Sequence, residues 1–143
     1  MTPENRARRC ADVMWAKDAA SKALGMQIDD IGPGRAVLSM PVAAQHLNGH
    51  GICHGGLIFS LADSAFAFAC NSYNRVCVAQ HNSITYLAPG QSGDRLIATA
   101  QEVTRQGRSG IYDVAVTTED GRRIAEFRGA SREVSGVHFE EDT

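Results

Sequence analysis

The stretch "HLNGHGICHGGLIFSLADSAFAFAC", residues 46–70, decides how this chain folds, because its second half reads as a helix that must be buried. At about 100° per residue, Gly56, Ser60, Asp63, Ser64 and Ala67 fall in one narrow stripe. Leu57, Ile58, Leu61, Ala62, Ala65, Phe66, Phe68 and Ala69 cover the rest of the circumference. A helix apolar over so much of its surface needs a partner that wraps around it. Between Ala36 and Asn74 the one formally charged residue is Asp63. It either starts a shorter helix, as N-cap of "SAFAFACN", or sits mid-helix, and the lack of a turn signal after Gly56 favours the second. A mid-helix carboxylate among apolar residues carries a desolvation cost that packing does not justify, which marks Asp63 as functional.

Upstream, "TPENRARRCADVMWAKDAASKALG" places Thr2 and Pro3 at cap and first-turn positions and spaces Cys10, Val13, Met14, Lys17 and Leu24 near three and four. This predicts one N-terminal helix within residues 1–24, stopping at Gly25. "MQIDDIGPGRAVLSMPV" follows as a hairpin broken at Gly-Pro-Gly, with Leu38, Met40 and Val42 on one face. Downstream come four strand-like runs, "VCVAQHNSITYL", "RLIATAQEVTRQ", "SGIYDVAVTTE" and "RRIAEFRGASREV", the last two joined at Asp120-Gly121, a strong hairpin signal. The polar segment 135–143 reads as a frayed tail. Together these elements make one domain over residues 1–143, an α+β fold in which about six antiparallel strands curl around one long central helix, with an N-terminal helix added.

Bulk properties narrow the function. A chain of 143 residues with 43% hydrophobic and 21% charged residues suits one globular domain. A net charge of −2, with no basic cluster beyond Arg6, Arg8 and Arg9, argues against nucleic acid. Arginine outnumbers lysine twelve to two, and Arg holds phosphate oxygens in a fixed fork. Cys10, Cys53, Cys70 and Cys77 show no CxxC spacing, and the N-terminus has no signal-like apolar core. With no run of membrane-spanning length, a cytoplasmic protein is expected.

Gly55 and Gly56 directly precede the predicted helix, which leaves both of their N–H groups unpaired at its N-terminus, where the helix dipole favours an oxyanion. Paired glycines also suit a tight turn with close backbone packing. His46, His50 and His54 recur every four residues, but Gly49 and Gly51 between them disfavour the regular helix a shared metal would need, so no metal is expected. A Cys53 nucleophile served by adjacent His54 is disfavoured because neighbouring side chains point apart.

Asn48, Gly49, His54, Gly55, Gly56, Phe59, Leu61, Ala62 and Asp63, with "CNSYN", "ITYLAPG" and "FRG" further on, resemble the hotdog-fold thioesterases of the phenylacetyl-CoA thioesterase (PaaI) type. The resemblance runs from about Cys10 to Val134. It implies acyl-CoA thioester hydrolysis, with phenylacetyl or another aromatic acyl group as the expected substrate and no cofactor, coenzyme A being part of the substrate. It also implies that Gly55 N–H polarises the thioester carbonyl with help from Asn48. Asp63 would activate water or attack directly, and His54 and Gly56 would shape the substrate site. On Asn-Gly chemistry alone, Asn48 also suits a plain turn. In some relatives a Ser or Thr on the strand after the helix holds the water. The matching position here is Ala79, which leaves that role to Gln80, His81, Asn82 or Ser83.

Gly55 and Asp63 are eight residues apart, about 12 Å along a helix. One thioester carbon must lie within roughly 3 to 4 Å of both the oxyanion donor and the activated water, so two antiparallel helices from two chains are expected to share each site. The resemblance likewise implies dimers, often paired into tetramers. Arg105 and Arg108 are the expected CoA-phosphate contacts, with Arg75 and Arg128 behind them. Phe59, Phe66, Phe68 and Tyr73 are candidates for an acyl pocket. A hotdog hydratase or dehydratase using His54 and Asp63, and a non-catalytic acyl-CoA sensor, are the rival readings.

Overall fold

A computed structural model describes residues 1–141. The central helix, α3, runs unbroken over Gly55–Cys70, so Asp63 is a mid-helix residue and not an N-cap. Six antiparallel strands surround it: β1 (Gln27–Gly32), β2 (Arg35–Pro41), β3 (Cys77–Tyr86), β4 (Arg95–Gln106), β5 (Ser109–Thr118) and β6 (Arg123–Glu133). They form one sheet in the order β1-β2-β4-β5-β6-β3. Because α3 touches all six strands, including both edges, the sheet must curl around it. The expected α+β arrangement is the one observed.

The sheet's inner face follows the two-residue period. Ala36, Leu38 and Met40 of β2, Leu96, Ala98 and Ala100 of β4, Val114 and Val116 of β5, and Phe127 of β6 are buried against Leu61, Ala65, Phe66 and Ala69 of α3. Val42, past the end of β2, is buried with Leu38 and Met40 as the alternation predicts. The β5–β6 connection turns at Asp120-Gly121, with Gly121 at φ 87°, as its hairpin signal requires. The stripe read from the sequence is the face of α3 that the sheet leaves uncovered: Ser60, Asp63, Ser64 and Ala67 are partly exposed while Ile58, Leu61, Ala62 and Phe66 are buried.

Phe66 sets the tightest tolerance. Its ring contacts Phe127 and Tyr112 at centroid distances of 5.8 and 5.7 Å. A Cβ placed on Gly129 of β6 would lie 2.8 Å from that ring. Gly129→Ala is therefore expected to destabilise the fold by about 1–3 kcal/mol, seen as a lower urea midpoint at unchanged slope.

Two expectations for the chain ends are corrected. The N-terminal helix is two helices, α1 (Pro3–Ala16) and α2 (Ala19–Ala23). Thr2 caps α1 as expected, its hydroxyl accepting from Asn5 N–H at 3.1 Å. Asp18 then restarts the helix by accepting from Ser21 N–H at 2.9 Å, which interrupts the earlier ladder. Nor does the tail fray over 135–141. Asn74 Oδ1 accepts from His138 and Phe139 N–H at 2.9 and 3.2 Å, and its Nδ2 donates to Phe139 O at 2.9 Å. Arg9 lies 4.3 Å over the Phe139 ring and Arg6 pairs with Glu141 at 3.0 Å, so two arginines of the basic N-terminal group are used internally. The rest of the expected tail, 142–143, lies outside the described residues. No helix among the described residues is long and apolar enough to cross a membrane.

Candidate active site

The loop before α3 is a closed turn built on Asn48. Its Oδ1 accepts from His50 N–H (2.9 Å) and Ile52 N–H (3.3 Å), its backbone N–H donates to Ile52 O (2.8 Å), and Leu47 bridges Cys53. The turn reading of Asn48 is thus correct for its oxygen, while its Nδ2 has no partner among the described residues. Buried His46 braces the loop from beneath: its Nδ1 accepts from Ala43 N–H at 3.0 Å, and its carbonyl accepts from His54 N–H at 2.8 Å.

His54 is the N-cap of α3, with Nδ1 accepting from Gly56 N–H at 2.9 Å. This corrects the expectation of two free glycine donors. The Gly56 N–H is consumed by the cap, and Gly55 N–H is the first-turn donor left without a partner among the described residues. Gly55 and Gly56 also lie in the first turn of α3, not before it. Tyr86, at the end of β3, donates its hydroxyl to Gly55 O at 2.7 Å, and a Cβ on Gly55 would sit 3.2 Å from its ring. Asn48, Ile52, Gly55, Tyr86, Leu87 and Pro89 are among the residues around a cavity of about 410 Å³ at this helix end.

Asp63 does not border that cavity. Two turns along α3, it accepts one hydrogen bond, from Asn82 Nδ2 of β3 to its Oδ1 at 3.0 Å. Burial pushes its carboxyl above the usual carboxylate range, and the Asn82 donor pulls the other way. One chain thus holds a free N–H at a helix terminus and a partly buried carboxylate about two turns away, on a helix face that its own sheet leaves open.

The Thioesterase superfamily model matches residues 50–125, which contain both groups. Over 134 residues the chain is 47% identical to acyl-coenzyme A thioesterase PaaI of Escherichia coli K12, covering 93% of this chain and 95% of the relative. The chain belongs to the thioesterase superfamily. It is a thioesterase of hotdog fold: the structure of the E. coli PaaI protein of the phenylacetic acid degradation operon superposes with a TM-score of 0.93 at 43% identity, covering 95% of this chain and 99% of that one. A Streptococcus mutans protein bound to acetyl CoA superposes with a TM-score of 0.76 at 25% identity, over 79% of this chain and 91% of that one.

Arg105, Arg108 and Arg75 border a cleft at the opposite end of α3 from Gly55, beside Cys70 and Cys77. Arg105 is already engaged, pairing with Glu102 at 3.2 Å and stacking 3.6 Å from the Tyr73 ring, and Arg128 pairs with Asp113 at 2.6 Å. Phe66 and Phe68 are core residues and not pocket walls, because the curled sheet and Trp15 cover them. Tyr73 is tied to Glu102 through its hydroxyl at 2.9 Å, while Phe59 packs edge-on against Phe127. Among the described residues no three His, Cys, Asp or Glu side chains gather to hold a metal ion. Cys53 is buried, and burial pushes its thiol up, away from the thiolate a nucleophile needs.

Sequence reasoning missed Tyr86 as a wall of the Gly55 cavity. Its signal was present in "ITYLAPG", where the strand ends in an aromatic with a polar tip.

Proposed function

We propose that the protein hydrolyses acyl-CoA thioesters, with phenylacetyl-CoA or a related aromatic acyl-CoA as substrate, at sites shared between two chains. The observation that carries this is the pairing of an unpartnered Gly55 N–H at the α3 N-terminus with a mid-helix Asp63 about 12 Å away. No single thioester carbon reaches both groups of one chain. Two antiparallel α3 helices meeting along their open stripes bring Asp63 of one chain to Gly55 of the other. The long edge strand β3 supports this assembly: it is ten residues long, mostly exposed, and has one row of unpaired backbone groups. A second copy pairing there in antiparallel register extends the sheet and sets the helices face to face. Pairing of dimers into tetramers is the further step that the family resemblance implies.

In this reading Gly55 N–H, with Asn48 Nδ2 nearby, receives the carbonyl oxygen as it gains charge. Asp63 takes a proton from water as the water oxygen bonds to the carbonyl carbon. The tetrahedral oxyanion collapses, the C–S bond breaks, and the CoA sulfur leaves as thiolate and is protonated. His54 holds the loop and the helix start in register. No cofactor takes part. Four free thiols suit a reducing, cytoplasmic setting.

Antiparallel helices also carry the Arg75, Arg105 and Arg108 end of one chain to the Gly55 end of the other, which supports these residues as CoA-phosphate contacts. Arg108→Ala is expected to raise KM for acyl-CoA about 3- to 10-fold with kcat nearly unchanged, and to flatten the salt dependence of KM. The substrate test is thiol release from phenylacetyl-CoA, benzoyl-CoA and straight-chain acyl-CoAs. Faster turnover of the aromatic esters supports the assignment, and no hydrolysis of any ester refutes it.

A further inference from the structure

By the family resemblance, the position that holds the water in some relatives matches Ala79 here, whose side chain has no polar group for that role. Residues opposite each other on paired strands share a face. Ala79 pairs with buried Ser131, Asn82 with Gly129, and Ile84 with buried Phe127. The β3 positions on that face are therefore 79, 82 and 84, with Ala79 exposed and Asn82 and Ile84 partly buried, and with a spacing of three between the first two. The register shift between Ala79 and His81 supplies the extra residue. Without that bulge the alternation from Ile84 would run through 82, 80 and 78. Asn82 shares the face of Ile84 in either case, and the bulge sets Ala79 rather than Gln80 opposite Ser131, leaving Asn82 as the polar residue of that face. Gly129 opposite it carries no side chain.

We propose that Asn82 is the positioning residue of the active carboxylate: its Nδ2–H pins Asp63 Oδ1 and leaves Oδ2 as the oxygen that takes the proton from water. The proposal rests on the reading of Asp63 given above. Asp63 Oδ2 accepts no hydrogen bond among the described residues, and Asn82 is its one donor. The other end of the amide supports a dedicated role: Asn82 Oδ1 is buried with no hydrogen-bond partner. A half-satisfied amide between a helix and a sheet costs stability, and an apolar side chain would pack there without that cost. Asn82 holds the carboxylate against rotation and stabilises its charged form, opposing the burial that favours the neutral one.

Ionisable groups on the elements packed against α3 have other partners or are exposed. From α2, Asp18 reaches the neighbouring Ser64 through Ser21, at 2.8 and 2.9 Å. From the sheet, Glu102 is held by the Tyr73 and Tyr112 hydroxyls and by Arg105. His81 on β3 is exposed. On α3 itself, the Cys70 thiol is pushed up by its contact with Cys77 and by burial, the Asp63 charge adding least. None of these donates a hydrogen bond to Asp63, so the amide is the group whose removal changes the acid.

The test compares wild type with Asn82→Leu, Asn82→Ala, Asn82→Ser and Asp63→Asn, reading kcat and KM for phenylacetyl-CoA, or the fastest ester of the panel, across pH. Asn82→Leu is expected to lower kcat on the order of 10- to 100-fold with KM within about 3-fold. Its acid limb should move up by about one pH unit, because the neutral acid is no longer disfavoured. Asn82→Ser restores a donor and should recover part of both. If Asn82→Leu fails to fold, Asn82→Ala carries the same expectation without added bulk. Wild-type kcat and acid limb in the Asn82 variants, with Asp63→Asn inactive, overturn the role of Asn82 alone, as does a drop in kcat with an unmoved acid limb. Full activity in Asp63→Asn overturns instead the reading of Asp63 on which this inference rests.

Discussion

Asp63→Asn is expected to lower kcat for thioester hydrolysis on the order of 10²- to 10⁴-fold while raising the melting temperature at neutral pH. The two effects share one cause. Asp63 sits on the open stripe of a helix that is otherwise core, and burial raises its carboxyl above the usual range. A carboxyl that holds its proton more tightly when folded contributes favourably below its unfolded value, near 4, and that contribution is lost as pH rises through the raised folded value. At pH 7 the ionised group therefore opposes folding. Asn keeps the shape and can still accept from Asn82 Nδ2, but it carries no charge to desolvate. The melting temperature should rise by a few °C at pH 7, with the gap closing below about pH 4. Circular dichroism melts at both pH values and thiol-release kinetics check the pair. A variant that keeps wild-type rates removes Asp63 from the chemistry, and one that melts lower at pH 7 refutes the desolvation argument.

How much of this was legible in the sequence depended on whether the deciding interaction was local. The course of α3 and the identity of its open stripe followed from side-chain periodicity, since burial of Ile58, Leu61, Ala62 and Phe66 is a property of one helix face. The β5–β6 turn followed from Asp120-Gly121 for the same reason. The break in the N-terminal helix was less visible because Asp18 serves equally as a helix-surface residue until its carboxylate takes Ser21 N–H. Docking of residues 135–141 depends on Asn74, more than sixty positions earlier in the chain, and no local pattern reports that.

Within the site, residue types were easier to read than donors. Gly55 and Gly56 look alike in sequence, and only the His54 ring, turned back onto Gly56 N–H, separates the free donor from the used one. The bulge after Ala79 shifts strand parity by one residue, which is why four neighbouring positions stayed open as partners of Asp63 until the register with β6 was known. The arginines were found as a group, but Arg105 and Arg128 are held by Glu102 and Asp113 through contacts between different parts of the chain.

The second large effect concerns the sharing of the site. Gly55→Pro deletes the N–H proposed to receive the oxyanion, at a position where helices accept proline, although the added ring must displace Tyr86, whose Cζ would lie 3.2 Å from a Cβ there. Homodimers of this variant should be inactive, as should those of Asp63→Asn. A mixed dimer of the two variants has one site with Asp63 from the first chain and Gly55 from the second, both intact, and one site with neither. Random mixing makes half of the dimers mixed, each with one working site, so a 1:1 mixture should regain about a quarter of wild-type activity from two dead parents.

The decisive form of the experiment uses a mixed dimer carrying a different affinity tag on each chain, purified over both tags so that every molecule contains one Asp63→Asn and one Gly55→Pro chain. Its kcat per dimer for the best acyl-CoA is the measurement. A value near half of wild type is predicted if Asp63 and the Gly55 N–H of opposite chains act on one thioester. A purified mixed dimer as inactive as its parents would contradict the shared site.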